Sequence, residues 1–244
     1  MKVSFEVPIK YLYDFDQYQD YIFILPHLCK DPTYKQYCLS SNKMKIMDNS
    51  VYELSKPLPP EELFDLVAEL KVDVIVVPDV LFDIEETLRV TDEFYNKLAK
   101  TSLKVKTMIV PQGADQSEYY MCLNKMRGYP FDYIGVCFLS KGYGPKECEE
   151  IRYQKILSIV RGYPDKKIHL LGLNYIFYLE EYKKFLNIES IDTSFPVSLA
   201  YYKQKIDRFS IRRGRPQNFF DLVFDHEQYR IAKENIEIFR NFAK

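Results

Sequence analysis

Val72-Asp73-Val74-Ile75-Val76-Val77-Pro78-Asp79 is a short, β-branched apolar run that stops at a proline followed by a carboxylate. A run of this length is too short for a buried helix. It is also too continuously apolar for a strand wetted on one face, so it reads as a strand covered on both sides. The same pattern recurs along the chain. Tyr21 to His27 ends in Leu-Pro-His, Lys45 to Asn49 in Met-Asp-Asn, and Lys106 to Gly113 in Val-Pro-Gln-Gly. Tyr133 to Phe138, Lys167 to Leu173 and Ile188 to Ser194 follow. These seven runs, most ending on a polar residue or a glycine, predict an α/β fold. It is a compact (β/α)8 barrel of the TIM type, whose strand tips line one site.

The segments between the runs read as helices and turns. Pro59-Pro60-Glu61-Glu62 opens a helix, since proline fits a first turn and acids suit the positive end of the helix dipole. Leu63, Leu66, Val67 and Leu70 continue it on one face. Further helices are expected from Asp83 toward Lys100, over Asp115–Arg127, Lys146–Arg161 and Leu179–Phe185, and over His226–Phe242. The stretch after Asn49, through Glu53 to Pro60, is read as a loop. An irregular or incomplete eighth unit is expected, with two candidate strands, Val3–Val7 and Phe209–Ile211. The first of these is alternatively a lid across the barrel bottom. No linker divides the chain, so residues 1–244 form one domain, with a basic segment at 206–216 and a C-terminal helix at 226–242.

The 244 residues are 47 % hydrophobic and 28 % charged with net charge −1, values of an ordinary globular protein. Without a basic excess, attraction to nucleic acid has to come from a local patch. Tyr and Phe are abundant, at 21 and 17, and Trp is absent; most of these rings are expected in the core. Cys29, Cys38, Cys122, Cys137 and Cys148 are odd in number and form no C-x-x-C. They suggest reduced thiols rather than a disulfide framework or a zinc knuckle. The N-terminus lacks a signal-peptide pattern and no run is long enough to span a bilayer, so a cytoplasmic protein without membrane contact is expected.

In a parallel barrel Asp48, Asp79, Gln112, Gly135 and Asp192 converge at one mouth. Clustered carboxylates cannot all ionise freely, so one can stay protonated while another stays charged. That division suits nucleophile plus general acid/base chemistry at an acetal-like carbon. The plainer alternative is that acids at strand ends cap the helices that follow.

Taken together, the runs resemble the tRNA-guanine transglycosylase superfamily, barrels that exchange guanine for a 7-deazaguanine. Asp48-Asn49-Ser50-Val51-Tyr52-Glu53 is similar to that family's Asp-Ser-Gly-Gly-aromatic-Gln element. Val77-Pro78-Asp79 resembles its base-reading Asp, Val110-Pro111-Gln112-Gly113 its Val-Gln-Gly, and Ile134-Gly135-Val136 its Gly-Gly strand. His169-Leu170-Leu171-Gly172 and Ile191-Asp192-Thr193-Ser194-Phe195-Pro196 match the strand and nucleophile elements that follow. The resemblance covers residues from about 21 to 200. It implies that Asp192 forms a covalent glycosyl-enzyme and Asp48 is the general acid/base. Asp79, Gln112, Gly113, Asn49, His169, Gly172 and the backbone at Gly135-Val136 would surround the base.

The chain departs from the family in ways that bear on its substrate. The family's cysteine-rich zinc site is missing, so neither a metal nor a cofactor is expected. Asn49-Ser50 and Val136 replace glycines, and Pro196-Val197-Ser198 replaces Pro-Thr-Arg. A short, zinc-free chain is closer to the branch of phages and genomic islands that inserts 7-deazaguanine derivatives into DNA. The expected partners are therefore nucleic acid, DNA in preference to tRNA, and a free 7-deazaguanine-type base; a homodimer is an open assembly state. Arg208, Arg212, Arg213 and Arg215 form a basic segment that reads either as a solvated turn or as a phosphate grip. Two rival functions use the same residues: a DNA N-glycosylase, and a catalytically silent barrel that binds nucleic acid.

Overall fold

The computed structural model describes residues 1–244. Eight parallel strands form one sheet: β1 (Lys2–Phe5), β2 (Ile22–Ile24), β3 (Lys45–Met47), β4 (Val74–Val76), β5 (Lys106–Ile109), β6 (Tyr133–Cys137), β7 (Lys167–Leu171) and β8 (Ile188–Thr193). Their order is β1-β8-β7-β6-β5-β4-β3-β2. Ten helices surround them: α1 (Leu12–Phe15), α2 (Pro32–Ser40), α3 (Val51–Leu54), α4 (Pro60–Leu70), α5 (Ile84–Leu98), α6 (Gln116–Lys125), α7 (Pro145–Gly162), α8 (Tyr178–Tyr182), α9 (Phe195–Tyr201) and α10 (His226–Ala243). The architecture is a nearly closed (β/α)8 barrel.

The unbroken apolar runs follow from this geometry, because alternate side chains of each strand are buried on opposite faces. Inward-pointing Tyr21, Phe23, Ile46, Val76, Met108 and Tyr133 belong to a cluster that fills the barrel. Outward-pointing Ile24, Met47, Ile75, Ile134, Val136 and Ile191 join the larger core beneath the helices.

Of the two candidates for the remaining strand, the N-terminal one is in the sheet, and it is not a lid. β1 pairs with β8 in the register Ser4↔Asp192 and Phe5↔Thr193. The second candidate contributes only one antiparallel bridge, Ile211 to Tyr175. Side chains close the seam between β1 and β2. Asp20 accepts from the Val3 N–H at 2.9 Å, Gln19 both accepts from and donates to Phe5, and Ser4 Oγ accepts from the Phe23 N–H at 3.1 Å. The expected loop between Asn49 and Pro60 instead contains one short helix, α3, entered where Ser50 turns the chain in a left-handed conformation (φ 65°).

Acids do cap helices here, but not the acids at the strand tips. Asp31, Asp83, Asp115 and Asp225 accept first-turn N–H groups of α2, α5, α6 and α10. Asp79 and Asp192 cap nothing. All five cysteines are free. No helix is long and apolar enough to cross a membrane.

Candidate active site

Asp48 follows β3, Asp79 lies beyond β4, and Asp192 is on β8. All three are buried, and they line one cleft with Glu6, Glu53, Gln112, Arg212 and Arg215. Its empty space, open mouth included, is about 600 Å³. Tyr52 and Phe138 form an aromatic wall, their ring centroids 5.7 Å apart at 65°.

Asp79 is held by amides. Oδ1 accepts from Asn49 Nδ2 at 2.7 Å and Oδ2 from Gln112 Nε2 at 2.6 Å. Both amides are themselves fixed, because Asn49 Oδ1 accepts the Val51 N–H and Gln112 Oε1 the Phe82 N–H. Burial raises the Asp79 pKa to about 6 while the two amides pull against it.

Asp192 is held differently. His169 and Leu171 of β7 pair with Ser190 and Asp192 of β8, which sets the imidazole beside both polar side chains. His169 is fully buried, stacked on Phe23 with centroids 5.4 Å apart, and burial lowers its pKa to about 3. It is therefore neutral, and its contact with Asp192 is a hydrogen bond rather than an ion pair. Nε2 donates to Asp192 Oδ1 at 3.0 Å, and Nδ1 accepts from the Ser190 hydroxyl at 2.8 Å. The Gly172 N–H reaches the same carboxylate oxygen at 3.4 Å, leaving Oδ2 free of both donors.

The other neighbour of Asp192 is Glu6, one residue beyond β1. The two carboxyls line the cleft together, and each shifts the other's ionisation. Burial raises Glu6 to about 7, with Arg215 opposing, and burial raises Asp192 to about 6, with Glu6 and the Gly172 N–H opposing. With both raised and side by side, the two carboxyls cannot both ionise freely at neutral pH. Asp48 is pushed well above the usual carboxylate range by burial and then by Glu53. Its Oδ2 accepts the Ser50 N–H at 2.9 Å, and Ser50 Oγ meets His27 Nδ1 at 2.8 Å. This pair of contacts secures the left-handed turn that a glycine would adopt freely.

Arg215 bridges the two sides. It binds Glu6 at 2.6 Å and also Glu53, and its guanidinium lies over Tyr52. The segment carrying it crosses the barrel mouth, tied down by bonds from the Ile176 N–H to the Ser210 carbonyl and from the Arg212 N–H to the Asn174 carbonyl. The four arginines meet different partners. Arg212 faces the cleft over Phe138 at 4.1 Å, Arg208 pairs with Glu180 at 2.7 Å, and Arg213 is exposed over Tyr202.

Several expected base contacts lie elsewhere. Val136 points into the outer core, and its carbonyl accepts from buried Arg152 at 2.6 Å. Gly135 shares the layer of His169, below the cleft, where an added Cβ would meet Val110 at 2.9 Å. The strand's contribution to the cleft is Cys137, two positions on. Gly113 packs against α6, facing a neighbouring hollow. Asn49 and His169 are fully buried supports rather than lining residues, whereas Gly172 does line the cleft. Glu6 and Arg152 carry no motif in the sequence that would single them out, whereas Glu53 ends the element that begins at Asp48. No three His, Cys, Asp or Glu side chains converge in a way that could hold a metal ion.

No family model matches the chain, and no curated protein does. Among solved structures, it is similar to 3-hexulose-6-phosphate synthase from Salmonella typhimurium, at 12 % identity and TM-score 0.49 over 97 % of this chain and 99 % of that one. It is also similar to N-acetylneuraminate lyase from Mycoplasma synoviae, at 15 % identity and TM-score 0.46 over 76 % of this chain and 62 % of that one. These likenesses concern the barrel alone.

Proposed function

We propose that the cleft is the active site of a base-exchanging glycosyltransferase, which replaces guanine in DNA by a 7-deazaguanine-type base through an ester on Asp192. The observation that carries this reading is the convergence of Asp48, Asp79, Asp192 and Glu6 on one cleft. Burial raises the pKa of all four, so they cannot all ionise freely, and one can serve as acid while another serves as nucleophile.

In the first step an Asp192 oxygen attacks the anomeric carbon. The bond to the base nitrogen breaks, and the departing base takes the Asp48 proton. In the second step the incoming base gives its N–H proton to Asp48 as its nitrogen attacks the same carbon, and the ester bond returns its electron pair to Asp192. Asp79 and Gln112 each have acceptor or donor capacity left for a base edge, and Tyr52 and Phe138 form an aromatic wall of the same cleft. DNA as the polymer rests on the family resemblance and on Arg212, a cation in the cleft with no carboxylate partner.

The test is to incubate the protein with guanine-containing DNA and a labelled 7-deazaguanine-type base. Label entering the DNA is expected. Abasic sites without incorporation would make the protein a glycosylase, and neither product would remove the reading.

A further inference from the structure

Beside the cleft lies a second hollow that this reaction does not use. Gly113 to Ser117 at the start of α6, Ser140 and Lys141 after β6, and Lys155 on α7 line it. Lys155 is 8 % exposed, and its ammonium has no hydrogen bond or ion pair; the Tyr119 ring lies 4.3 Å away. Burying an ammonium without a counter-charge is costly, and burial lowers its pKa. Backbone donors point to the same space. Gln116 and Ser117 are the first residues of α6, where a helix supplies no acceptor for the N–H. The local acids are engaged: Asp115 accepts the Glu118 N–H at 2.9 Å, and Glu118 the Ala114 N–H at 2.8 Å.

We propose that this hollow is a phosphate subsite, with Lys155, the Gln116 and Ser117 amides and the Ser140 hydroxyl as donors. It adjoins the cleft, since Gln112 and Phe138 line the cleft while Gly113 and Ser140 line the hollow. Resting on the function proposed above, the phosphate is a backbone phosphodiester next to the target nucleotide. The same chemistry would hold the phosphate of a free nucleotide.

Two variants test the site. Lys155→Met keeps the stem over Tyr119 and removes the charge. Ser117→Pro removes an amide in a first turn that tolerates proline, and it serves if the first variant does not fold. Lys183→Met removes an exposed charge elsewhere as a control. Binding of a labelled ten-nucleotide single-stranded DNA is followed by anisotropy across salt, and binding of deoxyguanosine 5′-monophosphate by calorimetry. Lys155→Met is expected to weaken DNA binding about tenfold and to reduce the salt slope by about 0.7, with Lys183→Met unchanged. A loss confined to the nucleotide keeps the site and assigns it to free nucleotides. No binding of either probe, unchanged affinity in both site variants, or an equal loss in the control overturns the proposal. Binding is read without turnover, so a failure of base exchange leaves this result distinguishable.

Discussion

On the β3–β5 side of the cleft, Asp79 receives one side-chain amide on each oxygen. On the β1–β8 side, Asp192 faces a neutral imidazole and a second carboxyl. Both carboxyls are buried and both pKa values are raised to about 6, yet the supports differ in kind. Amides fix a carboxylate in place without taking its charge. A carboxyl partner and a neutral histidine orient it while leaving a proton to move. The first arrangement suits recognition and the second suits chemistry, and substitutions on the two sides should separate stability from turnover.

The largest effect is expected from Asp192→Asn. Turnover should fall by about a thousandfold or more, because an amide is a poor nucleophile, while the melting temperature stays level or rises. Substantial residual turnover would break the comparison on its chemical side. Arg215→Met should come next, destabilising the protein by about 2 kcal/mol because it leaves the part-buried Glu6 and Glu53 without their cation. Urea unfolding would measure it, and a loss under about 1 kcal/mol would mean that the bridge is dispensable.

Asp79→Asn should cost about 1–3 kcal/mol, since an amide group would face an amide donor of Asn49 or Gln112. Equal stability of this variant and Asp192→Asn would erase the contrast between the two sides. A smaller effect concerns pH. Glu6, Asp79 and Asp192 bind protons more tightly folded than unfolded, so the stability they contribute is complete below about pH 4 and is lost as pH rises to about 7. The melting temperature should therefore decline from about pH 5 to about pH 8, and Glu6→Gln should flatten that decline. A melting temperature that rises over this range would contradict the raised pKa values of these three acids. The smallest effect belongs to Arg208→Ala, whose exposed pair with Glu180 should be worth no more than about 0.5 kcal/mol.

Much of the fold is local and therefore legible. Val74 to Val77 and Ile22 to Ile24 are β-branched, apolar and short, so their period and length declare strands buried on both faces before any partner is known. The acids at the ends of three such runs are visible for the same reason. Glu6 is not, because nothing around it distinguishes a catalytic neighbour from an exposed acid near the N-terminus.

The residues by themselves determined the barrel class, most of its strands and the convergence of Asp48, Asp79 and Asp192 at one mouth. Only the tertiary structure decided which carboxyls sit side by side, where Arg215 points, and that Gly135 and Val136 miss the cleft. The reason is register. Side chains alternate with a period of two, so the pairing of β1 with β8 brings Glu6 to Asp192, while one step along β6 turns Val136 into the outer core.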